Sequence, residues 1–158
     1  MGLDVKLHKK VRLFEGMPND EDYENGNVFR AFTLNGFEDR IKNLEYGKYY
    51  ISEVQYRTIG YSYSSHSWFR DNLCVIAGLP EKYWRHNHSQ EDPFHELLYF
   101  ADNEGCIDWE ASESLYQDFL KFESKALTNT DNAFVNYYIA WMELFNRARI
   151  NGNVIEFH

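Results

Sequence analysis

Tyr61, Tyr63, His66 and Arg70 fall within one stretch, YSYSSHSWFR, that passes from a polar aromatic loop into an amphipathic helix. The amino end of a helix presents unpaired amides and the positive pole of its dipole, which favours an anion. Tyrosine rings can stack on a flat ligand, while an imidazole and a guanidinium can meet its charge. The same residues also suit a structural role, with the tyrosines roofing the core, Ser64 or Ser65 capping the helix and Arg70 pairing with a surface carboxylate. A second group is acidic: Asp102 and Glu104 in the turn D-N-E-G, followed by Asp108 and Glu110. Clustered carboxylates can hold a metal or act as acid and base, but such a run is equally what a turn and a helix cap require. Asp108 reads as the cap, and Asp102 and Glu104 stay open between the two roles.

Other chemistry-bearing residues carry less. His86 and His88 form a His-x-His pair in the polar loop PEKYWRHNHSQED, where nothing fixes the rings, so no metal is assigned. Asp20, Glu21, Asp22 and Glu24 lack EF-hand spacing and read as a solvated loop. Cys74 lies beside an apolar helix face and Cys106 near acidic groups that oppose a thiolate; neither is half of a CxxC pair. There is no Gly-x-Ser-x-Gly elbow, phosphate-cradling glycine loop or His-Glu-x-x-His motif, and no cofactor is assigned.

These residues need a scaffold, and 158 residues suffice for one domain with a real core. An aromatic content of 18% excludes a disordered chain and points to a core rich in rings. No apolar run approaches a membrane span and MGLDVKLHKK lacks a signal-peptide stretch, so a soluble cytoplasmic protein is expected. The net charge is −9, and residues 101–158 carry 10 acidic against 4 basic groups. That balance argues against general nucleic-acid binding and against an anionic membrane surface, although a few converging arginines would still hold a small phosphate. A homo-oligomer is compatible with the composition.

Hydrophobic periodicity supplies the elements. Leu3, Val5 and Leu7 alternate with polar residues, giving a strand from about Leu3 to Phe14; Gly16 to Asn27 is loop, and Val28 to Leu34 a second strand. Phe37, Ile41 and Leu44 mark a short helix ending near Gly47, and Tyr49 to Ile59 a strand leading into the central helix. Phe69, Leu73 and Ile76 form that helix's inner face, flanked by Trp68 and Cys74, and it should run from about Ser65 to Ala77 before Gly78 and Pro80 stop it. Pro93 opens a short helix with Phe94, Leu97, Leu98 and Phe100 inward. Leu115, Phe119, Phe122 and Ala126 make one long helical stripe; Phe134, Tyr138, Trp141, Phe145 and Ala148 make another, capped by Thr130 or Asp131, the two packing antiparallel. Val154 to His158 adds a docked final strand. The expected class is α+β, a mainly helical single domain with a central helix, one short helix, a C-terminal antiparallel helix pair and a small sheet from the N-terminal strands and the C-terminal tail.

The segments MGLD, YSYSSHSWFRDNL followed by AGLP, FHELLYFADNEGCI and VIEFH together resemble a family of small bacteriophage and bacterial proteins without an assigned activity. The shared pattern falls on Trp68, Phe69, Arg70, Phe94, Glu96, Leu97, Phe100, Asp102, Glu104, Gly105, Phe157 and His158. The chain departs from it with Ala101 in place of a usual serine and Asn103 in place of a common cysteine.

The resemblance implies that Arg70, the Asp102 to Gly105 turn and His158 form one constellation. With the aromatic and cationic residues of the central stretch, the leading expectation is a pocket, lined by Tyr61, Tyr63, His66, Trp68, Arg70, Asp102, Glu104 and His158, that takes a small planar molecule, and the resemblance adds a phage-type role. A nucleotide or cyclic nucleotide signal, sequestered from host defence, fits aromatic stacking and arginine contacts. Two alternatives stand beside it. One is a metal-assisted or acid and base hydrolase of a phosphoester or glycosidic bond, using His66, Asp102, Glu104 and His158. The other is an acidic decoy that binds a host protein through the carboxyl-terminal third.

Overall fold

The structure, a computed structural model, describes residues 2–33, 36–100 and 104–158. Its class is α+β and mainly helical, with the expected central helix, short helix and final helix pair. In chain order the strands and α-helices are β1 (Gly2–Lys9), β2 (Arg12–Leu13), β3 (Val28–Arg30), β4 (Tyr49–Ile51), β5 (Val54–Ser62), α1 (Tyr63–Ile76), α2 (His95–Leu98), β6 (Gly105–Ile107), α3 (Trp109–Leu127), α4 (Asn132–Ala148) and β7 (Val154–Phe157). Short 3-10 turns occupy Asp20–Tyr23, Glu38–Ile41 and Tyr83–Arg85. No helix of the described residues is long and apolar enough to cross a membrane.

The expected single small sheet is two. One is antiparallel in the order β5-β1-β7-β6, and the other in the order β2-β4-β3. Two strands predicted as continuous are broken, because each serves both sheets. Lys10 adopts a left-handed backbone (φ 53°) between β1 and β2, and Ser52 and Glu53 separate β4 from β5. The strand pleat then decides what lies where. Leu3, Val5, Leu7, Ile107, Ile155 and Phe157 face one side and join α1, α3 and α4 in the main core. Val154 and Cys106 face the other and pack with Phe29, Ala31, Ile41, Leu44 and Tyr50 in a smaller core under the three-stranded sheet.

Caps set the helices. Ser62 rather than Ser64 or Ser65 caps α1, accepting from the Ser65 amide at 3.1 Å. Asp108 caps α3 through the Ala111 amide at 2.9 Å and also takes the Asn43 amide and side chain, each at 3.0 Å, tying the Glu38–Ile41 turn to the helix. Asp131 caps α4. The helix pair is antiparallel: Arg149, past the end of α4, bonds Glu113 in the first turns of α3 at 3.0 Å, and Tyr138 donates to the Phe119 carbonyl at 2.6 Å. The tail docks as expected, since His158 and Asp4 exchange backbone hydrogen bonds of 2.8 and 3.1 Å.

β6, which periodicity did not reveal, depends on Gly105. Its φ is +109°, and a Cβ there would lie 2.6 Å from the Phe100 ring. Gly105→Ala is therefore expected to destabilise the fold by about 3 kcal/mol, from backbone strain plus overpacking. Chemical denaturation checks it; an unchanged midpoint would refute this role for the glycine.

Candidate functional site

An open cleft of about 530 Å³ lies where α1, the loop after Pro80 and the end of α2 meet. Ser67 and Arg70, three residues apart on α1, share the face that looks into it. Trp84 lies against Arg70, whose guanidinium carbon is 3.8 Å from the ring centroid, while that of Arg85 is 5.1 Å away. Asp71 fixes the stack by accepting from Trp84 Nε1 at 2.8 Å and from Arg85 Nη2 and Nε at 2.9 and 3.2 Å. This fork holds the loop to the helix and gives Arg85 one orientation. Arg70 is itself buried and donates through Nη1 to the carbonyls of Leu98 and Phe100, at 3.3 and 3.1 Å.

The facing wall is aromatic. The His88 ring lies 4.9 Å from Phe37, 4.5 Å from Tyr99 and 4.9 Å from His95. Tyr99 donates to Asp92 at 2.7 Å; burial, then that carboxylate, push its phenol far above the ordinary range and keep it a donor. Behind the wall, Arg40 is fully buried, 4.0 Å from the Phe37 centroid and 5.0 Å from that of Phe100. It donates to the carbonyls of Glu96 and His95 at 2.8 and 3.2 Å, and its Nη1 has no hydrogen-bond partner among the described residues. Burial lowers its pKa to about 10 against the raising pull of Asp39 and Glu96, so the guanidinium stays charged at neutral pH. In a chain of net charge −9, the cleft thus gathers three guanidinium groups on or behind its walls. Burial first, then the charges of Arg40 and His88, lower the pKa of His95, so that ring adds no charge at neutral pH.

Among the residues singled out by sequence, Arg70 lines the cleft. Tyr61 and His66 form a different structure. Trp141 Nε1 donates to the Tyr61 hydroxyl at 3.0 Å, and that hydroxyl lies 2.5 Å from His66 Nδ1. An indole can only donate, so the Tyr61 oxygen accepts from Trp141 and shares a second hydrogen bond with His66 Nδ1. Burial, then the charge of Arg70, hold its pKa well below the ordinary imidazole range. His66 is thus a buried core histidine, and it does not line the cleft. Tyr63 and Trp68 pack against the core, Trp68 edge-on to Phe134 and Tyr137. Glu104 is exposed on a bend, and Asp102 lies outside the described residues.

The expectation that His158 shares a cavity with Arg70 is not met. Glu156 and His158 lie on the sheet face opposite the helices, where both line another cavity, because alternate residues of an extended chain point to opposite sides. No group of three or more His, Cys, Asp or Glu side chains among the described residues is placed to hold a metal.

Arg40, Asp71 and Tyr99 also belong to the site without having stood out in the sequence, where Phe37 marked only a short helix and Trp84 and Arg85 only a loop. A Trp-Arg pair in a polar loop, with an acid beside Arg70, was the available signal; Arg40 reaches the site through tertiary packing alone. No protein-family model, curated protein or solved structure matches this chain.

Proposed function

We propose that the cleft binds a small planar anion of the nucleotide class, held without turnover. The observation that carries this reading is the Arg70–Trp84–Arg85 ladder clamped by Asp71, an oriented cationic surface facing an aromatic wall. A ligand ring would lie against Phe37, His88 and Tyr99, with its anionic group toward Arg85. The volume of about 530 Å³ is in the range of small-molecule sites. Sequestration of a cyclic nucleotide signal in counter-defence rests on the sequence resemblance to bacteriophage proteins alone.

Mass spectrometry of small molecules released from the heat-denatured protein, with a thermal-shift panel of mono-, di- and cyclic nucleotides, tests the reading. Unmodified nucleotide should be recovered, and at least one member of the panel should raise the melting temperature. Arg85→Ala, which removes a half-exposed side chain, should weaken that binding by about tenfold or more while changing stability by about 1 kcal/mol or less. A protein that retains nothing and responds to no nucleotide would refute it.

A further inference from the structure

The sheet face away from the helices carries a second polar assembly, centred on Glu156. His8 is fully buried, with Nδ1 2.8 Å from Ser52 Oγ and Nε2 2.8 Å from Glu156 Oε1. The same carboxylate oxygen takes His158 Nε2 at 3.0 Å. Ser52 Oγ in turn donates to the Asn27 carbonyl at 3.2 Å. Four side chains thus run in one hydrogen-bonded line from the interior to the surface. Burial alone would raise the Glu156 carboxyl, but hydrogen bonds to His158 and His8, and their charge, hold it down to about 2.

Such a network costs desolvation that an apolar core would not. Its outer members, Glu156 and His158, line the floor of a cavity of about 410 Å³, with His8 behind them. Lys6 and Arg30 stand at the rim with Tyr23 and Tyr49, and Glu156 is the one side-chain carboxylate among the described lining residues. Two imidazoles already occupy that carboxylate, so the cations and phenols above it face no uncompensated acid in the lining. Burial and a hydrogen bond to Tyr49 raise the Tyr23 phenol, which therefore stays a donor. Glu156 also orients the His158 ring: with the Nε2 proton committed to the carboxylate, Nδ1 donates to an oxyanion in the imidazolium form of the ring.

We propose that this cavity is a second binding site, for a small oxyanion such as a phosphate or carboxylate group, held by Lys6, Arg30 and His158. Its floor of His8 and Glu156 positions His158 and does not itself touch the ligand. The site is independent of the helix-side cleft, so either can fail alone.

Imidazole and lysine NMR signals of the full chain, titrated with inorganic phosphate and separately with acetate against chloride at matched ionic strength, provide the test. Saturable shifts at His158 and Lys6 are expected. Saturation by phosphate alone would assign a phosphate group, and saturation by both anions a general oxyanion site. Lys6→Ala combined with Arg30→Ala should weaken phosphate binding by about tenfold or more, whereas Lys9→Ala, whose ammonium lies over the Tyr56 ring, should leave it unchanged. Shifts no different from those in chloride would overturn the proposal. So would a double variant that binds phosphate as tightly as the parent, or loss of binding on Lys9→Ala.

Discussion

Replacing Arg70 by alanine is expected to lower the unfolding free energy by about 3 to 4 kcal/mol, the larger of two effects that the cleft and the polar floor predict. Arg70 is 4% exposed, and its guanidinium stacks on Trp84 and supplies hydrogen bonds to two carbonyls at the end of α2. Its removal leaves both carbonyls short of a partner and opens a void beneath the indole. Arg70→Lys keeps the charge but loses the planar contact, and should cost about half as much. The His66 ring supplies a second readout. Burial dominates its depressed pKa and the Arg70 charge adds to it, so the imidazole of the alanine variant should titrate closer to the ordinary range. Urea denaturation and imidazole NMR measure the two effects. A variant as stable as the parent would show that Arg70 is a surface cation and not a keystone of the cleft.

Acid should destabilise the protein in two stages. His66 titrates well below 6.5 in the folded state, so the unfolded chain takes up its proton first. Its contribution is fully present above about pH 6.5 and declines as the pH falls below that value. Glu156 titrates at about 2 when folded, against an ordinary 4.5, so its contribution is complete above about pH 4.5 and is lost as the pH falls to about 2. Both terms have the same sign and give the two steps of an acid-side fall, while the carboxyls of Glu96, Asp108 and Asp118, raised by burial, pull the other way because the folded state takes up their protons first. Glu156→Gln removes the second step: it should cost about 2 to 3 kcal/mol at neutral pH and almost nothing near pH 2. The side chain is 16% exposed, so little of this is lost to solvent screening. Equal stability of variant and parent at neutral pH would mean that the two imidazoles contribute nothing net to the fold.

Local chemistry made much of the architecture legible. The periodic stripes of α3 and α4, the caps at Asp108 and Asp131, the stop at Gly78 and the alternation of β1 and β7 follow from spacings of two or about 3.6 residues and from cap chemistry. β6 was not legible, because three residues show no period and Gly105 is recognisable as essential only beside the Phe100 ring. The break at Lys10 was hidden for a related reason: β1 and β2 belong to different sheets, and their own alternation does not record which partner each finds.

For the candidate site, the sequence by itself determined that polar and aromatic groups would lead into a helix with a buried face, and it left Arg70 open between a pocket and a surface ion pair. Tertiary structure decided which neighbours Arg70 has. Trp84 and Arg85 come to it through the Asp71 fork, and Phe37 and Arg40 through the packing of a 3-10 turn against α2, contacts between residues far apart in the chain. It also separated His158 from Arg70, because the pleat sends the final imidazole to the opposite side of the sheet, where Glu156 and His8 receive it. Spacing along a chain reports which side chains share one element's face; whether two elements present those faces to the same cavity is settled by sheet order and pleat.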